Sequence, residues 1–123
     1  MARVNMRETR GKQPLRNLLA ANDLIRDYVK DKYPIQYACV LLEILTLGEG
    51  KQLRDLEQRT GMTASSVQRA VSTLSDIDWR GGEGAGLVEL KVDPADARYK
   101  NIYLTGKGKR LRDKLIGATD GSA

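Results

Sequence analysis

Apolar residues recur along this chain with two different periods, and the switch between them lays out its elements. Leu15, Leu18, Leu19, Ile25, Tyr28 and Val29 share one helical face, while Arg16, Asp23, Arg26, Asp27 and Lys30 fall mostly on the other. This predicts a long amphipathic helix that starts at Pro14, a residue suited to a first helical position, and ends near Tyr33 because Pro34 follows. Ile35 to Leu47 is the most apolar stretch, with Tyr37, Ala38, Cys39, Leu41, Leu42, Ile44, Leu45 and Leu47 leaving little polar face. Such a helix is expected to be central and buried on most sides. Gly48-Glu49-Gly50 stops it. A short helix from Leu53 to Thr60 follows, with Gly61 as its C-terminal cap, and Thr63 offers an N-cap for another through Leu74.

After Leu74 the helical pattern stops. Trp79 to Gly86 is glycine-rich and predicts a loop or loose turn. Alternation then appears: Leu87, Val88, Leu90 and Val92 form one short strand and Tyr99, Ile102, Tyr103 and Leu104 its return, around an Asp93-Pro94-Ala95-Asp96 turn. Thr105 caps a last helix reaching about Ile116. The expected fold is mainly α with a small β-hairpin: a winged helix-turn-helix of about five helices and a two-stranded wing. Residues 1–13, which carry Arg3, Arg7, Arg10 and Lys12 against Glu8, are expected to form a flexible basic arm. Residues 14–116 form one domain, and the small, polar residues 117–123 a disordered tail.

Leu53 to Leu74, LRDLEQRTGMTASSVQRAVSTL, reads as the helix-turn-helix itself. Gly61 permits the left-handed backbone of the turn, and Met62 fills the angle between the helices. The second helix turns Val67, Ala70, Val71 and Leu74 inward. Its outer face carries Ser65, Ser66, Gln68, Arg69, Ser72 and Thr73, with Thr63 at its start. These groups suit base edges and phosphates, and no acidic residue lies between Gly61 and Ser75. A polar helix face alone is common on any surface. The hairpin directly behind it, with Arg98 and Lys100 near its tip, turns the balance toward a duplex-DNA reader.

The segment DPADARYKNIYLTGKGKRL resembles the wing of the MarR family, with Asp-x-Arg at Asp96 and Arg98, then Leu-Thr-x-x-Gly at Leu104, Thr105 and Gly108. The helix-turn-helix segment is also similar to that of the IclR family. The resemblance implies that Arg98 enters the minor groove and that Asp96 holds it by a salt bridge, acting as wing support. A homodimer on a palindromic site is expected as well, because the first helix is longer than a minimal winged helix needs and the last helix is expected to expose Leu111, Leu115 and Ile116 as a two-fold interface. Two features depart from the MarR pattern: the connection from Asp76 to Gly86 is long, and only one helix, not two, follows the wing.

Composition narrows the remaining classes. The net charge of +5 suits a polyanionic partner. With no histidine and a single cysteine, the commonest general base, the commonest metal ligand and any internal disulfide are missing. No enzyme, cofactor or metal site is therefore expected. GGEGAG lacks the Lys-Ser/Thr of a phosphate-binding loop and reads as a flexible connector. Asp76, Asp78 and Glu83 fit no calcium-loop spacing and read as solvating charges. Cys39 reads as a buried, inert thiol rather than a redox sensor. Tyr28, Tyr33 and Tyr37 read as packing near the junction of the first two helices, with nothing else to support a small-molecule effector there. No apolar run nears the roughly 20 residues of a membrane span, and the N-terminal segment lacks a signal-peptide pattern. The expectation is a cytoplasmic, nucleoid-associated transcription regulator, most simply a repressor. A winged-helix protein-interaction module and a ligand-responsive sensor are the alternatives.

Overall fold

The structure, a computed structural model, describes residues 6–29 and 34–120. Helix α1 (Met6–Val29) and helix α2 (Ile35–Leu47) precede a two-residue strand β1 (Lys51–Gln52). Helices α3 (Leu53–Thr60) and α4 (Ala64–Leu74) form the helix-turn-helix. Strands β2 (Val88–Val92) and β3 (Lys100–Leu104) form the wing, and helix α5 (Gly106–Asp120) ends the fold. The architecture is the expected winged helix.

The core follows from the apolar stripes. Leu41 of α2, Leu56 of α3, Leu74 of α4, Ile102 of β3 and Leu111 of α5 are all nearly inaccessible, as is Leu87 just before β2. Each lies on the face that its period turns inward. In α1 the inward face is Ala21, Ile25 and Val29, and α5 answers with Leu111 and Leu115; these two were expected on an exposed dimer face, but α1 packs over them and leaves Ile116 alone of the three exposed. The wing is antiparallel, with Val88 opposite Leu104 and Val92 opposite Lys100. Strand β1 adds a third strand on the other edge of β3, Lys51 opposite Ile102. It was not expected, because two polar residues carry no alternation to read.

Four further expectations are corrected. Residues 6–13 are helical rather than part of a flexible arm, so Pro14 lies inside α1 instead of starting it. Arg7, Glu8, Arg10, Lys12 and Gln13 all favour helix, and Pro14, the ninth residue of α1, interrupts it without ending it. Residues 117–120 extend α5, with the Thr119 hydroxyl donating to the Leu115 carbonyl at 2.8 Å. Residues 1–5, the end of the first helix at Tyr33, and residues 121–123 lie outside the described residues.

The third correction concerns α2, which is not buried all round. Val40, Leu41 and Ile44 face the core, but Ile35, Cys39 and Leu42 are exposed on the opposite side. Cys39 is therefore not a buried thiol.

The fourth is the glycine-rich connection, which is not loose. The Asp78 amide donates to the Gly82 carbonyl (2.8 Å), Ile77 bridges to Glu83, and the Gly84, Ala85 and Gly86 amides bond back to Asp76, Thr73 and Ser75. A Cβ on Gly84 would run into the Ser75 carbonyl. The connection is folded tightly against the end of α4. Asp78 is accordingly buried and ion-paired, not a solvating charge.

Candidate nucleic-acid interface

The local sequence builds the helix-turn-helix in a few steps. The Gln52 amide donates to the Asp55 carboxylate at 2.8 Å, which satisfies an open donor at the start of α3. Gly61 takes the left-handed conformation, φ +73°, and its amide closes α3 on Glu57. Met62 packs half-buried in the angle between the helices. Thr63 then caps α4 by accepting from the Ser66 amide at 3.2 Å.

The outer face of α4 is narrower than its sequence suggests. Ser65, Gln68 and Arg69 are exposed. Thr63 is exposed too, but its hydroxyl serves the cap and also donates to Ser66 Oγ at 2.9 Å. Ser66 and Ser72 are half-buried, and the Ser72 hydroxyl donates to the Ile77 carbonyl at 3.0 Å. Thr73 is buried beneath the returning connection, so its place on the outer face is corrected. A helical period cannot show a segment arriving from further along the chain.

The wing tip places Asp96 and Arg98 together, in the pairing that the wing resemblance implies. Arg98 Nε donates to Asp96 Oδ1 at 3.0 Å and Nη2 to Oδ2 at 2.8 Å, a two-point contact, and the Arg98 amide donates to Oδ1 at 3.1 Å. These bonds from the Arg98 side chain and amide hold the Asp96 carboxyl below its ordinary pKa and raise that of Arg98. The Arg98 side chain remains 81% exposed. Its outer edge thus points to solvent from a fixed position. Lys100 is exposed at the start of β3.

Gln52 joins the two halves of the surface. Its side-chain amide donates to Asp93 at 3.0 Å and to Asn101 at 3.2 Å. Asp93 also accepts from the Ala95 amide, which is the main reason its pKa is lowered and fixes the turn before the tip. Arg54 of α3 lies over the Tyr99 ring at 5.3 Å, with Arg98 on the same ring at 5.7 Å.

Three residues of this surface were not anticipated: Arg54, Trp79 and Arg80. Arg69 Cζ sits 4.7 Å from the Trp79 ring centroid and Arg80 Cζ 5.8 Å from it. A lone tryptophan followed by arginine directly after the proposed recognition helix was the available signal. Among the described residues no group of acidic and cysteine side chains is arranged to hold a metal ion, and no helix is long and apolar enough to cross a membrane.

A separate apolar groove of about 490 Å³ runs between α1, α2 and α5. Leu18, Ile35, Cys39, Leu42 and Ile116 line its open side.

No protein-family model and no curated protein matches the chain. Solved structures do. A transcriptional regulator from Thermotoga maritima aligns with a TM-score of 0.64 and 23% identity, covering 95% of this chain and 71% of its own. A MarR transcriptional regulator from Methanosarcina mazei aligns with a TM-score of 0.60 and 20% identity, over 91% of this chain and 68% of its own. The transcriptional repressor CouR, solved on a 23-mer DNA duplex, aligns with a TM-score of 0.58 and 18% identity, over 94% of this chain and 73% of its own. The chain has the MarR-like winged-helix fold.

Proposed function

We propose that this protein is a sequence-specific, duplex-DNA-binding transcription regulator, acting as a homodimer and most simply as a repressor. Helix α4 enters the major groove, with Ser65, Gln68 and Arg69 facing base edges and with Thr63, Ser66 and Ser72 toward the backbone. Arg98 reaches the minor groove, and Lys100 meets phosphate beside it. The observation that carries this reading is the wing tip: an exposed guanidinium held outward by a two-point contact with Asp96. A narrow minor groove concentrates negative potential and attracts such a group. The net charge of +5 and the acid-free face of α4 agree with it, as does the shared fold with a repressor solved on DNA.

The homodimer rests on apolar faces that none of the described residues covers. Leu15 (64% exposed), Leu18 (64%) and Leu19 (59%) of α1 lie open, together with Ile35 and Leu42 of α2 and Ile116 of α5. Leu18, Ile35, Leu42 and Ile116 share one groove, and contiguous exposed apolar surface of this kind marks an interface. A two-fold dimer would read a palindrome with half-sites about one helical turn apart. The protein has no catalytic role in this reading and works in the cytoplasm, on the nucleoid.

The test is binding to labelled random and selected duplexes at several salt concentrations. Binding should weaken steeply with salt. Gln68→Ala should cost about 1–3 kcal/mol of discrimination at one position per half-site, and Arg98→Ala should weaken all sequences and flatten the salt slope. Salt-independent or absent binding at low salt would favour the protein-interaction module instead. Sedimentation of a monomer at micromolar concentration would remove the dimer and leave the α1–α2–α5 groove open, the one feature that favours a ligand-responsive sensor.

A further inference from the structure

The connection between α4 and the wing carries more organisation than a linker requires. Its first residues are tied to α4: the Ser72 hydroxyl donates to the Ile77 carbonyl, and the Ser75 hydroxyl donates to the Ser72 carbonyl at 2.7 Å. Its turn is closed by the Asp78 amide on Gly82 and the Gly81 amide on Asp78. Asp78, only 7% exposed, accepts from the Arg80 amide at 3.1 Å and pairs with the Arg80 guanidinium at 2.9 Å. Further on, Gly84 lies where a side chain has no room against Ser75. Anchored on both sides, Trp79 has a fixed place relative to α4.

That place is not the core. Trp79 is 48% exposed, and the face of its ring meets the guanidinium of Arg69, on the outer surface of α4. An exposed arginine on a helix ordinarily samples many rotamers, and ordering it on binding costs entropy. A flat aromatic face at this distance restricts it beforehand. We propose that Trp79 is a positioning residue for Arg69, and that the Asp76–Gly86 connection is thereby a third part of the DNA-reading surface beside α4 and the wing. This inference rests on the DNA-binding reading above. It explains the unusual length of the connection, which carries an aromatic platform back over the recognition helix.

The chain has one tryptophan, so its fluorescence reports this residue alone. Two arms test the proposal. Without DNA, Arg69→Met should change the emission of Trp79 in the folded protein, and an unchanged spectrum would overturn the stack. With DNA, affinities for a duplex selected from a random pool are measured by anisotropy of the labelled duplex. Trp79→Ala should weaken binding about two- to five-fold, the size of one exposed cation–π contact, and Trp79→Phe should restore most of it. In an Arg69→Ala background, Trp79→Ala should cost nothing further. An equal loss in both backgrounds, or no loss in either, would overturn the positioning role while leaving DNA binding intact. If wild-type protein binds no duplex at low salt, the DNA-binding reading fails and this inference fails with it. That outcome is separate from the first two because it appears before any substitution is made. Circular-dichroism melts establish that each variant is folded; should Trp79→Ala unfold, the Arg69→Met spectrum and the Trp79→Phe affinity decide.

Discussion

Alanine at two glycines of α5 should move stability in opposite directions. Gly108 lies where α5 crosses the root of the wing. A Cβ there would run into the Leu87 carbonyl oxygen and come within 3.1 Å of its carbon and 3.3 Å of Leu104 Cδ2. The Leu87 atoms are backbone and cannot rotate aside, so the helix must shift. The shift acts on a compact set of bonds: the Thr105 hydroxyl to the Gly86 carbonyl at 2.6 Å, the Thr105 amide to the Leu87 carbonyl at 3.0 Å, and the Gly108 amide to the Thr105 hydroxyl at 3.1 Å. Overpacking costs about 1–3 kcal/mol and a weakened hydrogen bond about 1 kcal/mol, against about 1 kcal/mol gained in helix propensity. The expected net loss for Gly108→Ala is therefore about 2 kcal/mol. Gly117 lies in the same helix, and a methyl group placed there would meet nothing within 4 Å. Gly117→Ala should gain about 0.5 kcal/mol by restricting the unfolded chain. Urea unfolding at one fixed protein concentration, followed by circular dichroism, measures both; the fixed concentration holds any contribution from association constant. Gly108→Ala at or above wild-type stability would refute the reasoning. So would two shifts of the same sign. If the result holds, the glycine of the Leu-Thr-x-x-Gly pattern is explained by close approach between helix and wing, with no contact to DNA needed.

Three further outcomes are expected. Thr63→Ala removes the cap of α4 and should cost about 1 kcal/mol of stability in the same urea assay, with Thr63→Ser restoring it. Asp78 has its pKa lowered from the ordinary 3.8, chiefly by the bond from the Arg80 side chain and against the opposing effect of burial. A carboxylate of this kind contributes its full stabilisation above 3.8 and loses it as pH falls through the lower folded value. Trp79 emission should therefore hold steady down to that point and change below it, and a change already complete above it would contradict the anchoring role. Asp96→Ala frees the Arg98 guanidinium from its two-point contact, so it should weaken binding to all duplexes less than Arg98→Ala does; tighter binding would mean that Asp96 acts mainly by repelling phosphate.

Much of the fold was legible because its elements obey simple periods. The inward face of α4, Val67, Ala70, Val71 and Leu74, is buried as its spacing requires. Thr63 and Thr105 cap the helices they precede, since a hydroxyl beside open backbone donors can accept from them. Strand β1 was illegible for the opposite reason. Lys51 and Gln52 are a strand only through the backbone of β3, opposite Ile102 and Asn101. The start of α1 and the end of α5 were misplaced because Pro14 was weighed as a first helical residue and the small, polar residues from Gly117 as a tail. Both helices continue through Pro14 and Gly117, so each is a local cost within a helix rather than its boundary.

The candidate site was legible where contacts are local and obscure where they are distant. Asp96 and Arg98 are two residues apart, so their pairing lies within one turn. Arg69 and Trp79 are joined only because the connection folds back, and the same return buries Thr73 and occupies the Ser72 hydroxyl. Cys39 poses the same problem on α2. Residues 35–47 are apolar nearly all round, which describes a helix with neighbours on every side. Among the described residues, the neighbours bury the side of Val40, Leu41 and Ile44. Ile35, Cys39 and Leu42 stand at spacings of four and three, a second helical stripe facing away from the core. Apolar composition thus registers how many faces need cover without showing whether the cover belongs to the same chain. The open stripe lines the same groove as Leu18 of α1 and Ile116 of α5. Three helices that leave apolar residues open on one groove fit the homodimer proposed above, in which a second copy would cover them; fully burying one leucine or isoleucine side chain contributes about 1.5–3 kcal/mol.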